Sequence, residues 1–171
     1  MSRCLFTGTS SFNTTMKILM VCLGNICRSP LAEGIMKAKL DKYNLPYSVD
    51  SAGTGNWHEG ESPDHRSVKI ALENGVDISN QRARGFNPED FDRFDLIYVM
   101  DKSNLNTLRD RTANNAHHAK IRLIMDAMSK TGKEVPDPYY GNLNDFRDVY
   151  CMLDEICEEI ALDFVEKSRK S

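Results

Sequence analysis

A chain of 171 residues, 40% hydrophobic and 27% charged, fits one domain that buries roughly two-thirds of its unfolded surface, so it folds without disulfide or metal staples. A formal net charge of −3 argues against a general binder of nucleic acid or of anionic membrane, so any phosphate it handles is met by a local site. The five cysteines (Cys4, Cys22, Cys27, Cys151, Cys157) are an odd number with neither Cys-x-x-Cys pairing nor a Cys/His cluster, which points to a reducing compartment, the cytoplasm, and to no metal site.

Residues 1–15 have one Arg near the start, no apolar core of signal-peptide length, and the chain has no membrane-spanning run; they read as a disordered tail before a single domain over 16–171. The apolar run Ile18 to Val21, after Lys17, has the length of a buried strand. The segment PLAEGIMKAKLDKY predicts a helix with Ser29 as cap and Pro30 in the first position, and Glu33 comes one place too late for a capping box. Tyr47 to Gly53 is a weaker strand. Ser62 to Gly75 reads as a helix with a glycine stop, and Asn87 to Phe94 as another helix. Asp95 to Met100 and Ile121 to Met125 are the remaining strand-length runs. Between them a helix is predicted after Asp101, and His117 and His118 read as a solvated loop. The last helix spans about Asn144 to Lys167, where Phe146, Val149, Tyr150, Leu153, Ile156, Ile160 and Phe164 share one face.

Strand and helix in alternation predict an α/β fold: a single domain with a four-stranded parallel sheet, helices on both faces, and a phosphate-binding loop after the first strand. Ligands in such sheets bind at the carboxyl ends of the strands, and VCLGNICRSP, Val21 to Pro30, sits there.

That loop runs from a strand into a helix amino terminus, where unpaired N–H groups and the helix dipole favour an anion of phosphate size. Leu23, Gly24, Asn25, Ile26 and Cys27 form the expected cradle. It lacks the Gly-Lys-Ser/Thr ending of a nucleotide-binding loop and carries Arg28, whose planar fork suits two phosphate oxygens. A thiol aimed into the cradle feels the field that attracts phosphate, which makes Cys22 an activated nucleophile. Ser29 is placed to donate a hydrogen bond to its sulfur, and Gly24 is expected to supply torsions that a side chain forbids.

With its Cys-x5-Arg-Ser spacing inside V-C-x-G-N-x-C-R-S-P near the amino terminus, the chain resembles the low-molecular-weight protein tyrosine phosphatases from Met16 to its end. The resemblance implies an enzyme that hydrolyses phosphotyrosine in tyrosine-phosphorylated proteins, and small aryl phosphates, through a cysteinyl phosphate. It implies a monomer with no cofactor or metal. Asp137 of DPYYG matches the family's general acid, and attack by Cys22 does demand a proton for the leaving oxygen. Tyr139 and Trp57 match aromatic walls beside the substrate ring. Asn25 and Ser51 match a pair that holds the cradle, and Asp101 a carboxylate that orients the arginine. The resemblance also favours a reversible Cys22–Cys27 disulfide over simple packing of Cys27. Asn74 departs from a frequent family His, so the hydrogen bonds behind Asn25 are expected to be wired differently.

Taken singly, these residues have ordinary alternatives. A free cysteine at a strand end is often a small core residue, Asp-Pro starts turns, and a lone Trp usually packs. Three rival functions share the cradle. An arsenate reductase needs relay cysteines after the second helix, and Gly75 to Met100 has none. In the arginine phosphatases a Thr replaces Ile26. A non-catalytic phosphate sensor or carrier has no need of Asp137.

Overall fold

The computed structural model describes residues 15–129 and 132–171. The expected tail, apart from Thr15, and Cys4 with it, lies outside the described residues.

The central element is β1 (Met16–Cys22), paired in parallel with β2 (Tyr47–Gly53) on one edge and β3 (Leu96–Val99) on the other. The short strand β4 (Ile121–Leu123) pairs in parallel with β3, so the order is β2-β1-β3-β4. Both edges of β1 are paired and both faces covered, which is why Ile18, Leu19, Met20 and Val21 are all wholly buried and read as an unbroken apolar run. Alternation still divides them. Ile18, Met20 and Cys22 face the core under α1 (Arg28–Lys42), α2 (His65–Glu73) and α6 (Leu143–Arg169). Leu19 and Val21 face a second core with Phe91 of α3 (Asp90–Arg93), Phe94, and Leu108 of α4 (Lys102–Asp110). Helices therefore cover both faces, as the alternation predicts. The chain steps from β1 to β2 on one side and then to β3 on the other, so the carboxyl end of β1 lies at a topological switch point.

The predicted face of α6 is buried from Phe146 to Phe164, with Cys157 and Ala161 added, and Cys151 is exposed. Full burial of each large apolar side chain contributes roughly 1.5–3 kcal/mol, which docks this helix along its length. Gly75 follows α2 at φ +79, the left-handed stop expected of it.

Several local expectations change. Ser29 is not the cap of α1: Cys27 takes that position without a side-chain bond, and Pro30 lies within the first turn. The Ser29 hydroxyl is committed elsewhere, to Cys22 and Asn25. The second helix begins at His65 because the Asp64 carboxylate accepts from Arg66 N–H and caps it. Only Asp90–Arg93 of the Asn87 segment is helical. Asp90, wholly buried, instead accepts from Asn87 N–H and from Arg84. The run from Ile121 stops as a strand at Leu123, and Ile124–Met128 forms a 3₁₀ turn that buries Ile124 and Met125 toward α6. The expected solvated loop at His117 and His118 is helix α5 (Asn115–Lys120), capped by Asn114. His117 stacks on Phe91 and lies 2.9 Å from both Thr112 Oγ1 and Asp92 Oδ1. No helix among the described residues is long and apolar enough to cross a membrane.

Candidate active site

The cradle is built from a strand end, a loop and a helix start that follow one another in the chain. Its carbonyls are drawn outward: Cys22 O accepts from Thr54 N–H and Leu23 O from Gly55 N–H, each at 2.9 Å, and Ile26 O accepts from Asp64 N–H at 2.7 Å. The N–H groups of residues 23–27 donate to no protein carbonyl among the described residues, and those of the first turn of α1 have no intrahelical partner. Donors without backbone acceptors therefore follow one another along a single loop into a helix start, the kind of arrangement that binds an oxyanion. Gly24 does not supply the unusual torsion expected of it. The left-handed residue is Asn25, at φ 58. At Gly24 the constraint is space, because a Cβ would lie 3.0 Å from His58 Cδ2. Gly53 is required more strictly, since its Cβ would meet the carbonyls of Leu23 and Gly55 at 2.8 Å.

Behind the cradle a hydrogen-bond chain ends on the Cys22 sulfur. Asn25 Oδ1 accepts from Arg84 N–H at 3.0 Å, which turns the Asn25 amide so that Nδ2 donates to Ser29 Oγ (2.8 Å) and Ser51 Oγ (3.0 Å). Ser51 donates onward to Glu33 Oε2 at 2.5 Å, and the other Glu33 oxygen pairs with Lys37. Having accepted from Asn25, Ser29 directs its own proton to Cys22 Sγ, 3.0 Å away. Asn74 takes no part: its amide donates to Ile70 O within α2. Glu33 and Lys37 stand behind Ser51 in this chain.

Arg28 is buried beside the sulfur. Its Nη1 donates to Asp101 Oδ2 (2.7 Å) and Val135 O (3.0 Å), which leaves Nε and Nη2 for a ligand, with Asp137 Oδ2 at 3.5 Å from Nη2. Burial alone disfavours the cation, but Cys22, Asp101 and Asp137 outweigh it and hold the guanidinium above its ordinary value. Asp101 reaches this place because it caps α4 at the carboxyl end of β3, in a reciprocal box with Asn104. Cys27 is buried too, and there desolvation, with Asp64, Cys22 and Asp137 nearby, pushes its thiol far up. Cys22 and Cys27 are both free thiols.

The cradle opens into a cavity of about 310 Å³ lined by Cys22, Leu23, Gly24, Ile26, Cys27, Arg28, Trp57, His58, Asp137, Tyr139 and Tyr140. Trp57 is 61% exposed and Tyr140 95% exposed, so neither is a core residue. Asn25, Ser29, Ser51 and Asp101 stand behind it rather than in it. Sequence reasoning missed His58, Glu33, Arg84 and Arg66. His58 adjoins Trp57, but the other three act through contacts with segments distant in sequence, and no local pattern marks them.

The family model described as low molecular weight phosphotyrosine protein phosphatase matches residues 17–171. The chain belongs to that family. It is a protein-tyrosine phosphatase, a hydrolase acting on phosphoproteins. The Schizosaccharomyces pombe low molecular weight phosphotyrosine protein phosphatase is 39% identical over 142 residues, 81% of this chain and 90% of the relative. The human low molecular weight phosphotyrosine protein phosphatase is 38% identical over 158 residues, 90% of this phosphatase and 96% of its own length. Among solved structures, the protein tyrosine phosphatase of Entamoeba histolytica with Hepes in the active site superposes with a TM-score of 0.83. It is 39% identical and covers 90% of this chain and 99% of its own.

Proposed function

We propose that this phosphatase cleaves aryl phosphate esters in two steps at Cys22, with Arg28 and the cradle N–H groups holding the phosphoryl oxygens and Asp137 moving the proton. The observation that carries the reading is the convergence on one pocket of a sulfur held by Ser29, a permanent cation and a carboxyl on an opposing segment. In the first step the Cys22 thiolate attacks phosphorus, the bond to the phenolic oxygen breaks, and Asp137 gives that oxygen its proton. In the second, water attacks the cysteinyl phosphate and gives a proton to the Asp137 carboxylate. The phosphorus–sulfur bond breaks, and Ser29 donates to the departing thiolate. Nucleophile, charge and proton all come from side chains, so the steps balance without a cofactor.

Trp57 and Tyr139 flank the cavity as aromatic walls, which supports a phosphotyrosine ring over a smaller alkyl phosphate. The carboxyl of Asp137 at the pocket supports turnover over a phosphate sensor or carrier. Cys22, Arg28, Asp137 and both aromatic walls are all supplied by a single copy of the chain, so the chemistry needs no second one and the reading is of a monomeric enzyme, while the free state of the four described cysteines supports a cytoplasmic one. The family match over 17–171 supports a catalytic domain over 16–171.

The test is hydrolysis of p-nitrophenyl phosphate and a phosphotyrosine peptide, with a chelator present, by wild type and Cys22→Ser. Turnover by wild type and none by Cys22→Ser is expected. Retained turnover in the variant refutes the covalent mechanism, and binding of inorganic phosphate without turnover by wild type favours the sensor.

A further inference from the structure

The segment that carries Asp137 has little of its own to hold it. Pro136 and Pro138 have no N–H, and the backbone bond within 136–141 is Gly141 N–H to Pro138 O at 2.9 Å. Its start is anchored, since Val135 donates to Met100 O at 2.8 Å and accepts from Arg28. Its end is anchored by Asn142, the cap of α6. Between those points the carbonyls of Tyr139 and Gly141 accept from Arg66, from Nη2 at 3.0 Å and Nη1 at 3.2 Å.

Arg66, near the start of α2, is itself fixed. Its Nε and Nη2 grip the Asp64 carboxylate at 3.0 and 2.9 Å, and its guanidinium carbon lies 4.3 Å from the centre of the Phe146 ring in the first turn of α6. The backbone N–H of Asp64 is the donor to Ile26 O of the cradle. One cation thus ties the acid segment and α6 to Asp64, whose backbone abuts the phosphate loop. Arg66 does not line the pocket.

We propose that Arg66 is a positioning residue for Asp137, holding the acid segment against the cradle so that the carboxyl meets the leaving oxygen. The inference rests on Asp137 being the general acid. The Asp137 side chain is 40% exposed, and within its own segment it is tied by one contact, Tyr139 N–H to Oδ1 at 3.1 Å. A displacement of about 1 Å in such a group costs on the order of a hundredfold in rate.

The experiment measures kcat/KM of wild type, Arg66→Met, Arg66→Lys, Asp137→Ala and the double variant Arg66→Met/Asp137→Ala on aryl phosphates from 2,4-dinitrophenyl to phenyl phosphate. A phenolate that leaves readily needs no proton. Arg66→Met is therefore expected to lose about 10- to 100-fold on phenyl phosphate and under about threefold on the dinitrophenyl ester. The double variant is expected to lose no more than Asp137→Ala, because both changes remove the same proton transfer. Arg66→Lys keeps charge without the fork and falls between, and it carries the same criterion should Arg66→Met not fold. A loss uniform across the series, or a further loss in the double variant, overturns the proposal alone. No leaving-group dependence in Asp137→Ala removes the acid assignment and this inference with it.

Discussion

Ser29 carries two readings in the sequence, helix cap and donor to the Cys22 sulfur, and its neighbours in space keep only the second. A serine before proline at a helix start is a good cap, yet here the hydroxyl lies inside the first turn and closes a chain whose direction is set at its far end. A carboxylate accepts only, so Glu33 forces Ser51 to donate. Asn25 must then donate to both serines, and Ser29 has its proton left for sulfur. Replacing Glu33 by Gln removes the ion pair with Lys37 and substitutes a neutral acceptor for a charged one at a buried site. Unfolding in urea should show a loss of about 1–3 kcal/mol, from a hydrogen bond to a charged group. An unchanged midpoint would mean that the chain is held from the Arg84 side alone.

Helices α1 and α6 meet along apolar faces and are joined at one end by polar contacts. Lys39 lies 3.0 Å from Asp154 and 3.1 Å from Glu158, Lys42 lies 3.2 Å from Glu158, and the Tyr43 hydroxyl donates to the same carboxylate. The Tyr43 hydrogen bond, then Lys39 and Lys42, overcome partial desolvation and bring Glu158 down from the ordinary carboxylate value of 4.5 to about 2. A carboxylate lowered in the folded state stabilises above its unfolded value, and that contribution is lost as pH falls through the folded one. Glu158→Gln should therefore be less stable than wild type above about pH 4.5. The gap should narrow through pH 3 and close near pH 2, as read from urea midpoints at several pH values. A gap independent of pH would show that packing, not charge, joins these helices here.

The fold brings its candidate anion site together at the end of the most buried strand, so the site and the core are mechanically continuous. An anion that binds only the folded cradle must raise stability by mass action. Inorganic phosphate at one hundred times its dissociation constant should add about 2.7 kcal/mol and raise Tm by roughly 5–10 °C for a domain of this size. Cys22→Ser should keep most of that shift, because backbone N–H groups and Arg28 make the contacts. Absence of a shift in both proteins would contradict the cradle as an anion site. The sequence by itself was sufficient for the sheet, for the alternation of strands with helices, and for the cradle from Cys22 to Ser29, because strand period, helix period and a strand–loop–helix run are local and leave their spacing in the chain. Element limits near Ile121 and Asn87 were not legible, since a short apolar or capped run fits a strand, a turn or a helix until its neighbours decide. Tertiary structure alone decided which carboxylate backs Ser51, that Arg66 grips the acid segment, and that Val135 accepts from Arg28 across 107 positions. The strand order β2-β1-β3-β4 sets those contacts by bringing the ends of β2 and β3 to either side of β1, and nothing in the local pattern of any one segment records that order.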